Sequence, residues 1–464
     1  MPIASKWKTC LGDRPFYREM ARLMIPLVVQ GTITSAVNLL DNLMIGQTGT
    51  LQMSAVAIVN QFVFVFYLVI FGSLSGPGIF STQFVGARQN DGVRSCFRYK
   101  IMICAAATVL CCLVLGLGAD WLMRLFINGD NTPDSVDLTI SYGKQYLLIM
   151  LLGLPVFTLT SIYASTLREY GETRVPMMAS LAALAANLVG NYILIFGHLG
   201  FPAMGVAGAA VATVLSRVVE AVIVIVYTHL KAREYPFITG AYKSCRVPWK
   251  LAKDITRRGY PLLLNEFVWA LGLSVVFQSY SMRGLHVVAA INIVYTISNL
   301  FKCAFYSIGG VTSVMVGHEL GQNHFREARI TTERLLFSGV CIATIIAIIS
   351  ICLARPLALC YRVEPDIHRM ATVLLYIAAL TAPFEVIVHV GYFAVRAGGQ
   401  GFCAFLMDGV FLWAVQVLVC WVIAYHTQMH IYGFFALSNA TLALKTILCL
   451  WILSKNFWVR NLVK

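Results

Sequence analysis

The chain has 464 residues, 59% of them apolar and only 12% charged, with a formal net charge of +14 and a mean hydropathy of +0.76. A soluble domain carries roughly 25% charged residues, so a soluble globular fold is excluded; nucleic-acid binding is excluded too, because the basic residues sit in loops between apolar runs and not on one clustered face. At roughly 20 apolar residues per spanning helix, a chain of this length holds about a dozen helices with the lipid bilayer as its solvent.

The first residues, MPIASKWKTCLGDRPFYREM, are polar and basic and contain no apolar stretch followed by a small-residue cleavage site, so no signal peptide is expected. Apolar runs then predict spans near 17–44, 51–80, 97–118, 138–162, 175–197 and 205–229, and again near 258–280, 286–314, 331–353, 368–394, 402–425 and 431–454. They lack strand alternation and exceed the roughly 10 residues of an outer-membrane barrel strand. The expected fold class is all-α integral membrane, twelve transmembrane helices in two pseudo-symmetric six-helix lobes. Residues 1–230 form the N-terminal lobe, 231–257 a cytoplasmic linker and 258–464 the C-terminal lobe.

Orientation follows from the basic residues. With the N-terminus inside, the inner side collects Lys6, Lys8, Arg14, Arg18, Arg88, Arg94, Arg98, Lys100, Arg168, Arg174, Arg326, Arg329 and Arg334, together with the basic linker HLKAREYPFITGAYKSCRVPWKLAKDITRR. The inner excess is roughly five to one, which sets both termini in the cytoplasm. The halves also align at an offset of about 235 residues, pairing Pro26 with Pro261, Gly49 with Gly284, Gly86 with Gly321 and Arg94 with Arg329. Each half has an even number of spans, so the repeats run parallel, the arrangement in which rocking lobes give alternating access.

Ionisable groups inside such spans cost about 2.5–3.5 kcal/mol at mid-helix, so each is a functional candidate. Asp41 closes the first span in SAVNLLDNLMIGQTG and reads either as an ion-exchanging carboxylate or as a wet helix end. Asn187 and Asn191, four apart, share one helix face and offer amide oxygens to a cation such as sodium, or an interhelical hydrogen bond. Glu266, in PLLLNEFVWALG, and Glu385, in LTAPFEVIVHVG with His389 one turn on, are coupling or substrate-binding candidates; the alternative is a partner for a nearby basic side chain. Asp408, Lys144, Lys302, Arg396 and Lys445 also fall within spans, several close enough to helix ends to snorkel. Arg217 and Glu220, three apart, suit a structural pair. Most of the thirteen cysteines lie within apolar spans, as Cys104, Cys303, Cys341 and Cys420 do, and read as small buried side chains. Walker A, GxSxG and HExxH signatures are absent, so neither ATP nor a catalytic centre is expected.

The stretches LLDNLMIGQTG, FGSLSGPGIFSTQFVGARQND, NYILIFGHLGFPAMGVAGAAVAT and PLLLNEFVWALG, in this order over nearly the whole chain, resemble segments of the bacterial multidrug and toxic compound extrusion transporters. The resemblance implies two six-helix lobes around a V-shaped cavity, in the cell inner membrane, exporting cationic amphipathic compounds in exchange for sodium ions or protons. It further implies that Asp41 is the first-helix coupling carboxylate and that Asn187 and Asn191 complete its site. Glu266 and Glu385 match acidic positions that part of the family has on the seventh and tenth helices. Asn191 departs from members with an aspartate there, which leaves a two-aspartate proton relay in doubt. The expected partners are small organic cations and the bilayer; no cofactor is expected, and two complete lobes make a monomer sufficient. A lipid-precursor flippase of the same superfamily, distinguished by a cationic cavity, and an integral membrane enzyme are the alternatives.

Overall fold

A computed structural model describes residues 11–47, 49–126, 133–361 and 363–463. Within them the chain runs through α1 (Arg14–Gly46), α2 (Thr50–Gly86), α3 (Asn90–Arg124), α4 (Pro133–Glu169), α5 (Arg174–Phe196) and α6 (Gly205–Leu230). After a linker with two short 3₁₀ turns come α7 (Trp249–Ser281), α8 (Leu285–Gly321), α9 (Phe325–Leu359), α10 (Pro365–Ala397), α11 (Gly401–His426) and α12 (Ile431–Ser454). Among the described residues, α2 to α12 are each long and apolar enough to span a membrane. The remaining helix, α1, has 33 residues, about 50 Å at 1.5 Å per residue. The protein is thus an all-helical, multi-pass membrane protein. Large apolar side chains face outwards, Leu117 at 87% and Leu152 at 72% exposure, as lipid-facing positions must.

Several helices outrun the apolar runs that announce them. α2 continues from Phe80 to Gly86 and α8 from Val314 to Gly321, while α3 and α9 start at Asn90 and Phe325, well before their apolar stretches. Hydropathy marks the segment in hydrocarbon, whereas the i to i−4 ladder continues into the polar zone, where 37 residues of α2 reach about 55 Å against a core near 30 Å. α7 likewise begins at Trp249, inside the stretch expected as linker. Pro26, Pro77, Pro155, Pro261, Pro356 and Pro383 lie inside helices, tolerated where neighbouring helices and hydroxyls satisfy the freed carbonyls.

The fold divides into two compact units. One comprises the described parts of Met1–Val28, Thr82–Gln89 and Thr256–Lys464; the other is Val29–Ser81 with Asn90–Ile255. In the second unit α6 packs along α5 and α4, and α3 along α4. Small residues make this possible: a Cβ on Gly208 would collide with the backbone of Leu194, and Ala207, Ala209, Ala210 and Ala212 are buried, so the glycine- and alanine-rich start of α6 is a close-packing surface. The linker closes on the same unit. Arg98 donates to the Ala241 and Gly240 carbonyls at 2.8 Å each, Arg94 reaches those of Phe237 and Pro236, and Phe237 is fully buried against Phe97 and Tyr170.

In the first unit α10 packs along α9, α8 and α12, around Tyr280, Ile291, Leu374, Cys420 and Phe434. The C-terminal tail forms a strap here. Trp458 is 2% exposed, Leu462 donates its N–H to Gln83 Oε1 at 2.7 Å, Gln83 donates to the Ala397 carbonyl at 2.8 Å, and Asn461 donates to that of Gly321 at 3.0 Å. All twelve described cysteines are free. Cys104 and Cys420 are buried as expected, but Cys341, Cys352 and Cys360 are exposed on the protein surface, because apolar runs do not separate core-facing from outward-facing positions.

Candidate functional site

The polar groups of the second unit converge where α1, α5 and α6 meet. α1 brings Asp41 near its C-terminal end, and α5 brings Asn187 and Asn191 one turn apart, 4% and 1% exposed. Asn191 Nδ2 donates to Asp41 Oδ1 at 2.6 Å. With its amide turned so that nitrogen faces the carboxylate, Asn187 donates to the same oxygen at 2.8 Å. Among the described residues, Asp41 thus meets amide N–H groups and forms no ion pair with an ammonium or guanidinium. The buried Asn191 Oδ1 has no hydrogen-bond partner among the described residues, an acceptor whose desolvation is uncompensated and which suits a donor set for a small cation. Three residues predicted from sequence to act together are brought together.

A second polar seam runs along the same helices. Gln30 on α1 donates to Ser180 Oγ at 2.6 Å, Ser180 donates to Glu220 Oε1 at 2.6 Å, and Arg217 donates to Glu220 Oε2 at 3.0 Å. Arg217 and Glu220 therefore form the expected pair, with the guanidinium 5.5 Å from the Phe157 ring centroid and within electrostatic reach of Asp41.

Lys100 has a buried partner that the sequence does not announce. Expected on the inner side, at the start of the predicted span 97–118, it lies inside α3 with no exposure, its Nζ 2.6 Å from Glu169 Oε1 and donating to Thr166 Oγ1 at 2.9 Å and Ser165 Oγ at 3.1 Å. α3 begins earlier than its apolar run, so the lysine falls on a packed helix face opposite the last turn of α4. The flanking sequence carries no sign of that partner.

Glu266 and Glu385 lie in the other unit. Glu385 on α10 accepts from Lys302 on α8 at 2.7 Å and from the Tyr306 hydroxyl. His389 sits one turn on, as the spacing predicts, with its Nε2 3.0 Å from the Tyr306 carbonyl oxygen and Glu385 within electrostatic reach. Glu266 on α7 has Arg396 and Asp408 within electrostatic reach. Asp408 was one of several ionisable residues in the sequence without an assigned partner. It occupies a widened, π-helical stretch of α11 (Leu406–Val410), accepts from Lys445 on α12 at 2.6 Å, and accepts from Asn265 at 2.9 Å. Asn265, 2% exposed, takes the Gly409 N–H on its other end at 3.0 Å. π-helical turns are frequent at functional sites; here the extra residue per turn accompanies the placement of Asp408 between α7 and α12.

The MatE family model matches residues 26–193 and 261–422 of this chain, one stretch in each half. Among curated proteins the chain is similar to two described as probable multidrug resistance protein NorM. The Thermotoga maritima protein is 24% identical over 446 residues, 96% of this chain and 94% of that protein; the Neisseria meningitidis serogroup A protein is 26% identical over 440 residues, 94% and 93%. Among solved structures, the outward-facing conformation of a multidrug resistance MATE family transporter of the MOP superfamily matches with a TM-score of 0.82. It is 18% identical, and the match covers 97% of this chain and 98% of that one, which establishes likeness of fold.

Proposed function

The chain belongs to the MatE family, the multidrug and toxic compound extrusion transporters, and on that premise we propose that it is a secondary multidrug exporter of the cell inner membrane, antiporting cationic amphipathic compounds against sodium ions or protons. It works as a monomer with both termini in the cytoplasm, through alternating access of its two lobes. The observation that carries the coupling is Asp41 held between Asn187 and Asn191 beside an unsatisfied buried amide oxygen. A primary amide presents a donor on one side and an acceptor on the other. The side chains that donate to the free carboxylate turn their oxygens towards a cation seated on it, and a proton on Asp41 relaxes the same bonds. Either ion discharges the carboxylate, which is the property exchange requires. Glu266, a carboxylate of the C-terminal half, suits a substrate ammonium.

Binding of tetraphenylphosphonium to the purified protein, titrated against sodium and against pH, tests the antiport reading. Mutual competition with one of the two ions, lost in Asp41→Asn, is expected. Binding that neither ion affects over the physiological range contradicts it.

A further inference from the structure

The candidate coupling carboxylates of the two halves differ in what faces them. Among the described residues Asp41 is met by amide N–H groups, while Arg217, within electrostatic reach of it, is engaged by Glu220. In the C-terminal half both Glu385 and Asp408 are met by a lysine ammonium, Lys302 at 2.7 Å and Lys445 at 2.6 Å. Each carboxylate also has a further neutral donor, the Tyr306 hydroxyl on Glu385 and the Asn265 amide on Asp408. These pairs are partly buried and each has zero net charge. A sodium ion added to one of them would give a net positive charge in a desolvated site, which is costly without a further anion.

We propose that Lys302 and Lys445 are built-in cations that occupy, on Glu385 and Asp408, the positions a transported sodium ion would take, so that sodium exchange in this chain is confined to Asp41. The inference deepens the coupling reading above and rests on it for the role of Asp41; the part played by the lysines stands on the ion-pair geometry alone. Each ammonium is tethered to a neighbouring helix of the same half, α8 against α10 and α12 against α11. It neutralises the carboxylate at every step of a transport cycle and leaves with no gradient. Lysine suits this role as a compact point charge with three donors. Glu385, expected from the sequence as a coupling residue, is then a fixed partner of Lys302.

The test is sodium-dependent thermal protection of the full-length protein in detergent, with sodium chloride compared against choline chloride at equal ionic strength. Lys445→Met and Lys302→Met, each combined with Asp41→Asn, are expected to gain a sodium-specific rise in unfolding temperature of about 2 °C. The gain of Lys445→Met should vanish when Asp408→Asn is added, and Lys445→Arg should show none. Folded lysine variants with no sodium response overturn the proposal, because a purely structural ion pair predicts destabilisation without a new ion site. A native sodium response that survives Asp41→Asn and disappears in Asp408→Asn also overturns it. If the native chain lacks any sodium response while the lysine variants gain one, the lysine assignment holds and the sodium form of the coupling reading fails.

Discussion

Lys100 and Asn191 show how differently a buried polar side chain is used in the same half. Lys100 has its charge met by Glu169 and two hydroxyls. Removing one partner of such a pair costs about 3–5 kcal/mol, because the other charge stays buried. Lys100→Met should therefore lower the unfolding temperature sharply in detergent, and adding Glu169→Gln should recover part of the loss. Asn191 instead keeps one oxygen unused beside Asp41. Asn191→Leu preserves the packing but removes a donor and that oxygen, and it should reduce transport about tenfold or more with little change in unfolding temperature. An equal fall in stability and transport would make Asn191 a packing residue. At this scale the sequence is partly legible. Asn187 and Asn191 are readable because both lie on one helix, where spacing fixes the face. Asp408 and Lys445 are not, since partners on separate helices leave no spacing to read.

The helices themselves are set by two different physical signals. Apolar length marks the hydrocarbon-crossing part, which is why all twelve elements were visible in the sequence. Their polar extensions follow backbone hydrogen bonding and side-chain packing, which hydropathy does not see, and so α3 starts at Asn90, seven residues before the predicted span. Two irregular segments close the helical ends: the linker is held by Arg94 and Arg98, and the tail by Gln83 and Asn461. Trp458→Ala removes a buried aromatic from the tail, and a loss of about 3–5 kcal/mol is expected, measurable by thermal unfolding. An unchanged unfolding temperature would mean that the strap contributes nothing to the fold. Arg98→Ala should leave α3 intact but raise protease sensitivity in the linker, because the carbonyls of Gly240, Ala241 and Arg246 lose their donor.

Across the whole molecule the duplication is legible in the sequence and has a physical counterpart. Gly86 and Gly321, equivalent under the repeat, lie where α2 and α8 end. A Cβ on Gly86 would collide with the backbone of His318, and one on Gly321 with that of Gln83, itself the repeat equivalent of His318. The offset thus pairs positions that meet reciprocally. What the repeat does not carry is the charge at the candidate coupling sites: among the described residues no lysine meets Asp41, whereas Glu385 and Asp408 are each paired with one. On the proposed reading this divergence confines exchange to Asp41. Efflux of a fluorescent organic cation from loaded cells, driven in turn by sodium and proton gradients and compared between the native chain and Asp41→Asn at equal folded amounts, addresses it most directly. Gradient-driven efflux in the native chain that is abolished in Asp41→Asn is the predicted result; a variant that exports at the native rate would contradict the account.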